Sequence, residues 1–224
     1  MFNLYCFWTG NNPMNYRRCA ALASLKNTGA NVILVTPANL NDYIIEPLHA
    51  GYKYLSETHK ADYLRCYFMH FYGGGYVDVK TVSHEWISSY TSLMTDESKW
   101  AIGYREVGPD GVANIQIKND ADRKLDYELH SNWFKLIGNG AYIFKPNTPF
   151  TNEWYSQLCS KMDSNLDLLQ RYPSKHPRQV KNGIFGISSE DYNYPFCWSE
   201  ILGDIFHPLC LKYNEHLLYD LPLY

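Results

Sequence analysis

The sequence lacks several motifs that mark common classes of nucleotide-binding and hydrolytic proteins. It contains no G-x-G-x-x-G cradle, no P-loop, no G-x-S-x-G elbow and no H-E-x-x-H pair. These absences tell against a Rossmann dinucleotide site, a triphosphate-binding loop, a serine α/β-hydrolase and a zincin. The chain also has no internal repeat and no low-complexity segment, so we expect an ordinary globular protein.

Cysteine motifs and long apolar runs are missing too. The six cysteines are scattered and form no C-x-x-C pair, which argues against structural zinc and against a disulfide framework. The sequence contains no run of about 18 apolar residues, the length that a helix needs to cross a bilayer. The first residues lack the basic region of a signal peptide. We therefore expect a cytoplasmic protein without a membrane segment.

A strong charge of either sign is absent. The formal net charge is −3, which gives no general electrostatic attraction to DNA, RNA or anionic lipid. Nucleic acid is therefore not expected as a partner. An anionic ligand would have to be held locally, by a metal ion, a few basic side chains or helix-terminal amides.

Aromatic residues, in contrast, are abundant. The chain has 20 Tyr, 10 Phe and 6 Trp among its 224 residues. Aromatic faces can stack on nucleobases or sugar rings, although they serve hydrophobic cores first, and composition alone leaves both uses open. The length suits one hydrophobic core, so we expect a single domain over residues 1–224.

The first 36 residues predict a βαβ unit. Residues 3–8 read as a buried strand, residues 13–27 as a helix that Gly29 ends, and residues 30–36 as a β-branched strand of a parallel sheet. This order indicates an α/β fold. The turn after the first strand has a single glycine, so a bound diphosphate would need another group to neutralise it.

Later segments carry weaker signals. Residues 113–117 predict a strand, and residues 118–128 a solvated loop or an exposed helix. Residues 134–145 predict a strand interrupted by Gly138-Asn139-Gly140, because glycines inside a strand often mark a bulge or a close backbone approach. Residues 149–162 predict a helix from their apolar period.

Residues 59–80, HKADYLRCYFMHFYGGGYVDVK, predict a helix and a strand joined by three glycines. The helical part has apolar positions at i, i+3, i+4 and i+7, which form one core-facing stripe. Asp62 and Arg65 lie three residues apart, outside that stripe, as neighbours on the helix surface. The strand alternates, so the two valines beside Asp78 should lie on the opposite face, and Asp78 arrives at the carboxyl end of the strand, the edge where open α/β sheets bind ligands.

These residue types suit a nucleotide sugar. A carboxylate such as Asp78 can hold a divalent cation that bridges a diphosphate. Asp62 and Arg65 can hydrogen-bond ribose or sugar hydroxyls through a carboxylate and a rigid guanidinium fork. For these two residues, an intrahelical ion pair without any ligand is the alternative.

The segment ADYLRCYFMHFYGGGYVDVK resembles the A-D-x-x-R…G-G-x-Y-x-D-x-D segment of GT-A-fold glycosyltransferases with a DxD motif in their sugar-binding region. That family includes capsular-polysaccharide and mannosyl transferases and the glucosylating toxins. The G-G-x-Y ending at Tyr76 and the 16-residue step from Asp62 to Asp78 agree with it. FWTG near the start and NGAYIFKPNTPF at residues 139–150 are also similar, and the small size resembles capsid glycosyltransferases of large algal viruses.

The resemblance implies a GT-A-like fold, that is, a Rossmann-like mixed sheet flanked by helices, with a donor half at residues 1–105 and an acceptor half at residues 106–224. It implies transfer of a sugar from a nucleoside diphosphate donor, in particular a UDP-sugar, to a hydroxyl of a glycan or glycoprotein, assisted by Mn²⁺ or Mg²⁺. A module that binds the nucleotide sugar without transferring it is the alternative.

Lys80 departs from the family pattern, because the DxD position reads Asp78-Val79-Lys80 here. Either Asp78 binds the cation with help from elsewhere, or the Lys80 ammonium replaces part of the metal charge by pairing with the diphosphate. The resemblance implies His207 as a second metal ligand, since many GT-A enzymes recruit a histidine from this region. A packed or capping histidine is the alternative.

The remaining candidates have both a functional and a structural interpretation. Aromatic and hydroxyl side chains at the end of the first strand would line the base and ribose, or only pack there, and Asn139 would reach the sugar or form a turn. The expected binding residues are Phe7, Trp8, Thr9, Asp62, Arg65, Tyr76, Asp78, Lys80 and Asn139. An inverting transferase also needs a carboxylate base; the catalytic candidates are Asp78, Glu190, Asp191 and Glu200.

Overall fold

The computed structural model describes residues 1–185, 187–188 and 193–223. These residues form a six-stranded mixed sheet with helices on both faces, and a separate three-stranded antiparallel sheet. The α/β prediction is therefore confirmed, and the arrangement is compatible with a Rossmann-like fold. None of the helices in the described part of the chain has the length and apolar character that a membrane crossing requires.

The elements have the following bounds. The larger sheet contains β1 (Asn3–Phe7), β2 (Asn31–Val35), β3 (Gly74–Val77), β4 (Ala101–Arg105), β5 (Ile137–Phe144) and β9 (Leu217–Leu218), and the smaller one β6 (Gln179–Val180), β7 (Gly183–Ile184) and β8 (Ile187–Ser188). The α-helices are α1 (Tyr16–Ser24), α2 (Glu57–Phe71), α3 (Ile87–Thr95), α4 (Asp120–Ser131), α5 (Pro149–Ser164), α6 (Leu166–Arg171) and α7 (Gly203–Lys212).

The strand order in the larger sheet is β2-β1-β3-β5-β4-β9. β1 pairs in parallel with β2 and β3, as the βαβ prediction requires, whereas β5 is antiparallel to both β3 and β4. β4 therefore runs in the same direction as β3. The carboxyl ends of β1, β2, β3 and β4 consequently lie at one edge of the sheet, together with the amino end of β5.

Alternate side chains of each strand are buried on opposite faces of this sheet. Tyr5 and Tyr76 belong to the core that α2, α5 and α7 cover, and Leu4 and Val77 belong to the core on the face of α1 and α3. Val79 joins Val77 in the second core. This alternation confirms the prediction that both valines lie on the face opposite Asp78.

Helix α2 and the turn after it position the residues on which the sequence prediction concentrates. Its N-cap is Ser56, whose hydroxyl accepts from the His59 N–H at 3.4 Å. The predicted apolar stripe is buried, with Leu64 and Phe68 at most 1% exposed. Gly73, with φ of 62°, then turns the chain into β3, and a Cβ there would lie 2.5 Å from Pro146 Cδ.

One predicted strand is absent and one predicted helix has different bounds, both for identifiable reasons. Residues 113–117 form no strand, because their amides bond to side chains instead: Ala113 N–H donates to His207 Nδ1 and Ile115 N–H to Asp126 Oδ1. The helix expected at residues 13–27 begins at Tyr16, since the side chain of Asn15 is the N-cap, and its last turn is a 3₁₀ helix.

The glycines of β5 do not interrupt the strand, in contrast to the prediction. β5 is continuous, but its register against β4 shifts between Gly103 and Arg105, where residues 138–141 of β5 stand opposite Tyr104 alone. Gly138 lies against the Tyr104 ring, where a Cβ would overlap with the ring atoms. Both predicted uses of these glycines, a bulge and a close approach to the backbone, are therefore present. For residues 118–128 the helical alternative is correct, since α4 covers most of them.

Candidate functional site

A cleft of about 750 Å³ lies where the carboxyl ends of β1, β3 and β4 meet. Its lining includes the whole predicted binding set: Phe7, Trp8, Thr9, Asp62, Arg65, Tyr76, Asp78, Lys80 and Asn139. The fold therefore brings residues from three separate parts of the chain to one concave surface. Among the residues that the structure describes, eight charged ones line it, four acidic and four basic: Glu57, Asp62, Asp78, Glu106, Arg18, Arg65, Lys80 and Arg178.

Asp78 is held in a fixed orientation directly after β3. Its N–H donates to the Gly140 carbonyl at 2.8 Å, which extends the pairing of β3 with β5. Its Oδ1 accepts from the Tyr76 hydroxyl at 2.6 Å and lies 3.2 Å from Arg65 Nη2. Its Oδ2 lies 3.2 Å from Lys80 Nζ. Both carboxylate oxygens are thus engaged by cations, although the side chain is 25% exposed.

Arg65 links α2 to the two strands beside it. Its Nη1 donates to the Asn139 carbonyl at 3.0 Å, and its guanidinium carbon lies 4.5 Å from the centre of the Tyr76 ring. Its Nη2 lies 3.5 Å from Asp62 Oδ1 and 3.2 Å from Asp78 Oδ1. The intrahelical ion pair predicted as an alternative therefore exists, and it also forms part of the cleft lining.

Asp62 is buried rather than on the open helix surface, contrary to the prediction. It is only 3% exposed, because the cleft lies between α2 and the sheet edge. Burial raises the pKa of Asp62 to about 7, with the Asp78 charge adding to this and Arg65 opposing it. Near neutral pH this carboxyl can therefore donate a hydrogen bond as well as accept one.

Two basic side chains flank Asp78 at the cleft surface. Lys80 is 47% exposed and follows a tight turn in which its N–H donates to the Asp78 carbonyl at 2.7 Å. Arg18, from α1, donates from Nη1 to the carbonyl oxygen of Val79, between the two. Both side chains line the cleft. The edge of the sheet at β3 therefore presents positive charge around one carboxylate.

The residues after β1 form another side of the cleft. Trp8 Nε1 donates to the Asn12 carbonyl at 2.7 Å, and the Thr9 hydroxyl donates to the Glu57 carbonyl at 2.6 Å. Thr9 can thus only accept a hydrogen bond from a ligand. It also borders a smaller pocket of about 150 Å³ that Tyr52 helps to line.

His207 is packed in the core, as its structural alternative predicted. It is 0% exposed in α7, and burial lowers its pKa to about 4, so the ring is neutral at pH 7. Nδ1 accepts from the Ala113 N–H at 3.0 Å, and Nε2 lies 3.1 Å from Asn139 Nδ2. The ring does not line the cleft, and its contacts position Asn139 instead.

Glu106 is a cleft residue that the sequence prediction missed. It follows β4, is 6% exposed, and has Oε2 4.0 Å from His207 Nε2. Burial raises the pKa of Glu106, while the Val107 N–H and Lys80 lower it. The argument that selected Asp78 applies equally to the strand before Glu106. From the sequence alone this argument was not possible for Glu106, because only the pairing of both strands with β5 shows that β4 runs parallel to β3.

The predicted catalytic acids of the C-terminal third have different outcomes. Glu190 and Asp191 lie outside the described residues. Glu200 does not line the cleft, and its Oε2 accepts from the Cys197 N–H at 2.9 Å while Oε1 lies 3.8 Å from Lys161 Nζ. These contacts indicate a local structural role for Glu200.

An aromatic pair lies beside the cleft on the C-terminal side. Trp198 and Phe185 stack with ring centres 3.9 Å apart, and they are 40% and 43% exposed. Arg178 lies over the Phe185 ring at 5.2 Å, and both Trp198 and Arg178 line the cleft. Trp198, which lines the cleft, thus offers a ligand an apolar ring face and a polar indole N–H, and Phe185 supports it from behind.

The residues around Asp78 fit a divalent cation poorly. No group of three or more His, Cys, Asp or Glu side chains suited to a metal ion occurs in the part of the chain that the structure describes. The Lys80 ammonium, 3.2 Å from Asp78 Oδ2, would repel a cation bound to that oxygen by on the order of a few kcal/mol. The predicted Mn²⁺ or Mg²⁺ site at Asp78 and His207 is therefore not assembled by these side chains.

Comparison of this chain with protein-family models, with curated proteins and with solved structures finds no match. Any functional conclusion therefore rests on the site itself.

Proposed function

We propose that this protein is a glycosyltransferase of GT-A type that moves a sugar from a nucleoside diphosphate donor, in particular a UDP-sugar, to a hydroxyl of a glycan or glycoprotein. The observation that carries the proposal is the convergence of Asp62, Arg65, Asp78 and Lys80 in one cleft at the carboxyl ends of parallel strands. Ligands of open α/β sheets bind at this edge.

The charges of the cleft suit the two parts of such a donor. Lys80 and Arg18 lie at the exposed edge of the site, where a diphosphate requires positive charge. Asp62 and Arg65 lie deeper, with side chains 4% and 12% exposed, where they can hydrogen-bond sugar hydroxyls. The residues after β1 and the small pocket beyond Thr9 would hold the base and ribose.

Transfer breaks the bond between the anomeric carbon and the diphosphate oxygen and forms a bond from that carbon to the acceptor oxygen. The acceptor hydroxyl gives up its proton, and the bonding electrons leave with the diphosphate. Glu106 would take the proton in an inverting reaction, because burial raises its pKa and because, unlike Asp62 and Asp78, it is not paired with Arg65. The Trp198 ring, which lines the cleft, would contact the acceptor.

The test combines calorimetry with a turnover assay. The wild-type protein should bind UDP or a UDP-sugar and should hydrolyse or transfer the sugar of at least one UDP-sugar or GDP-sugar. Asp78→Asn should lower turnover about a hundredfold. Arg65 and Lys80 each lie 3.2 Å from an Asp78 carboxylate oxygen, and a neutral amide cannot form the ion pairs that hold them in place.

Asp167→Asn on α6, an exposed position outside the cleft, is the matched control and should keep wild-type turnover. Urea unfolding of both variants separates a loss of turnover from a loss of folded protein. Equal turnover in Asp78→Asn and the wild type would remove Asp78 from the active site. Donor binding without hydrolysis or transfer of any sugar would instead identify a binding module.

A further inference from the structure

The candidate donor site carries basic side chains where the related DxD motif carries a second acid. Lys80 stands at that position, with Nζ 3.2 Å from Asp78 Oδ2. Arg18 reaches the same place from another element and donates to the carbonyl oxygen of Val79. Two cations from separate parts of the chain thus contact the short segment from Asp78 to Lys80, one through the carboxylate and one through the Val79 carbonyl, and both line the cleft.

We propose that Lys80 and Arg18 bind the diphosphate of the donor directly and take the place of a divalent cation. The inference rests on the function proposed above and specifies how the anionic part of the donor is held. Nucleoside diphosphate binding by this chain then does not depend on a metal ion.

The arrangement around Asp78 explains why its carboxylate anchors basic side chains rather than a metal. Tyr76 and Arg65 engage Oδ1 at 2.6 and 3.2 Å, and Lys80 engages Oδ2. An ammonium has three donors, so Lys80 can bridge Asp78 and a phosphate oxygen at the same time. Its side chain is 47% exposed, so a ligand in the cleft can reach it.

Arg18 supplies the second cation in a geometry suited to phosphate. A guanidinium has five donors in a planar fork, so the bond to the Val79 carbonyl leaves it able to contact phosphate oxygens. The tight turn from Asp78 to Lys80, closed by an N–H to carbonyl bond of 2.7 Å, carries both Lys80 and the Val79 carbonyl that Arg18 contacts. Together they provide the two positive charges that a divalent cation would provide.

The test measures UDP and GDP binding by calorimetry, with excess EDTA and with saturating Mn²⁺. Wild-type affinity should be the same within about threefold in the two conditions, and Mn²⁺ alone should show no binding. Lys80→Met should bind the nucleotide about tenfold more weakly in both conditions, as expected for the loss of one charge-assisted contact. Lys124→Met, an exposed lysine on α4 outside the cleft, should bind as the wild type does.

Lys80→Asp provides the reciprocal test, because it places a second acid in the motif. This variant should bind UDP weakly in EDTA and should recover affinity when Mn²⁺ is added. Metal-dependent UDP binding by the wild type, or unchanged affinity in Lys80→Met, would overturn this inference and leave the proposed function intact. Absence of nucleotide binding in both conditions would overturn the proposed function together with the inference.

Discussion

Arg65 Nη1 donates a hydrogen bond to the main-chain carbonyl of Asn139, 3.0 Å away, and so joins α2 to the amino end of β5. The same guanidinium lies 3.2 Å from Asp78 and 3.5 Å from Asp62. One buried cation therefore connects a helix and two adjacent strands at the base of the cleft. Its removal affects both the stability of the fold and the shape of the site.

Arg65→Met should lower the free energy of unfolding by about 3–5 kcal/mol, because two carboxylates would remain in the cleft without their shared cation. Urea denaturation measures this loss. Lys60→Met on the same helix, which removes the more exposed pair with Glu57 at 3.0 Å, should cost under about 1 kcal/mol. Similar losses in the two variants would show that the Arg65 network adds little to stability.

Asp62→Asn should change how stability depends on pH. Burial raises the pKa of Asp62 to about 7, above the value of roughly 3.9 in an unfolded chain. Between these values the unfolded chain releases a proton that the folded chain keeps, so this residue lowers the free energy of unfolding as pH rises from about 4 to about 7.

The amide cannot titrate, so Asp62→Asn should gain stability relative to the wild type by a few kcal/mol across this range. Urea unfolding at several pH values between about 4.5 and 7.5 measures the difference. A constant difference between Asp62→Asn and the wild type would mean that Asp62 is ionised throughout.

His207 should destabilise the fold in acid. Burial lowers the pKa of His207 to about 4, below the usual value of about 6.5. As pH falls through 6.5 the unfolded chain gains a proton that the folded chain does not, so up to about 3 kcal/mol of stability is lost by about pH 4.

His207→Gln should therefore show a weaker loss of unfolding free energy between about pH 6.5 and 4 than the wild type, whatever its stability at pH 7. Urea unfolding at several pH values between about 4 and 7 measures this dependence for both proteins. Parallel profiles of His207→Gln and the wild type would contradict a neutral, buried His207.

Gly74→Ala should destabilise the strand that carries Asp78. Gly74 has a φ of 79°, and a Cβ there would lie 2.7 Å from the carbonyl oxygen of Asn3. The left-handed backbone and this clash together should cost about 1–3 kcal/mol. Gly108→Ala, where φ is 172° and a Cβ would have no atom within 4 Å, should change stability by less than about 0.5 kcal/mol. Thermal or urea unfolding distinguishes the two.

Local patterns in the chain were sufficient to predict much of the donor side of the fold. Apolar periodicity identified α2, a short apolar run identified β1, a β-branched run identified β2, and the alternation after the glycines placed Asp78 opposite Val77 and Val79. These predictions succeed because helix and strand periods depend on neighbours within a few residues. The predicted binding residues at the cleft come mainly from such segments.

Contacts between segments that are distant in the sequence decided the features that local patterns did not predict. Glu106 reaches the cleft because β5 lies between β3 and β4 and aligns their carboxyl ends, and Asp62 is buried because the sheet edge faces α2. Residues 113–117 have strand-like composition, yet their amides bond to His207 and Asp126 instead of to another strand. Burial, strand neighbours and hydrogen-bond partners of this kind depend on which chain segments meet, and no short-range sequence period encodes that.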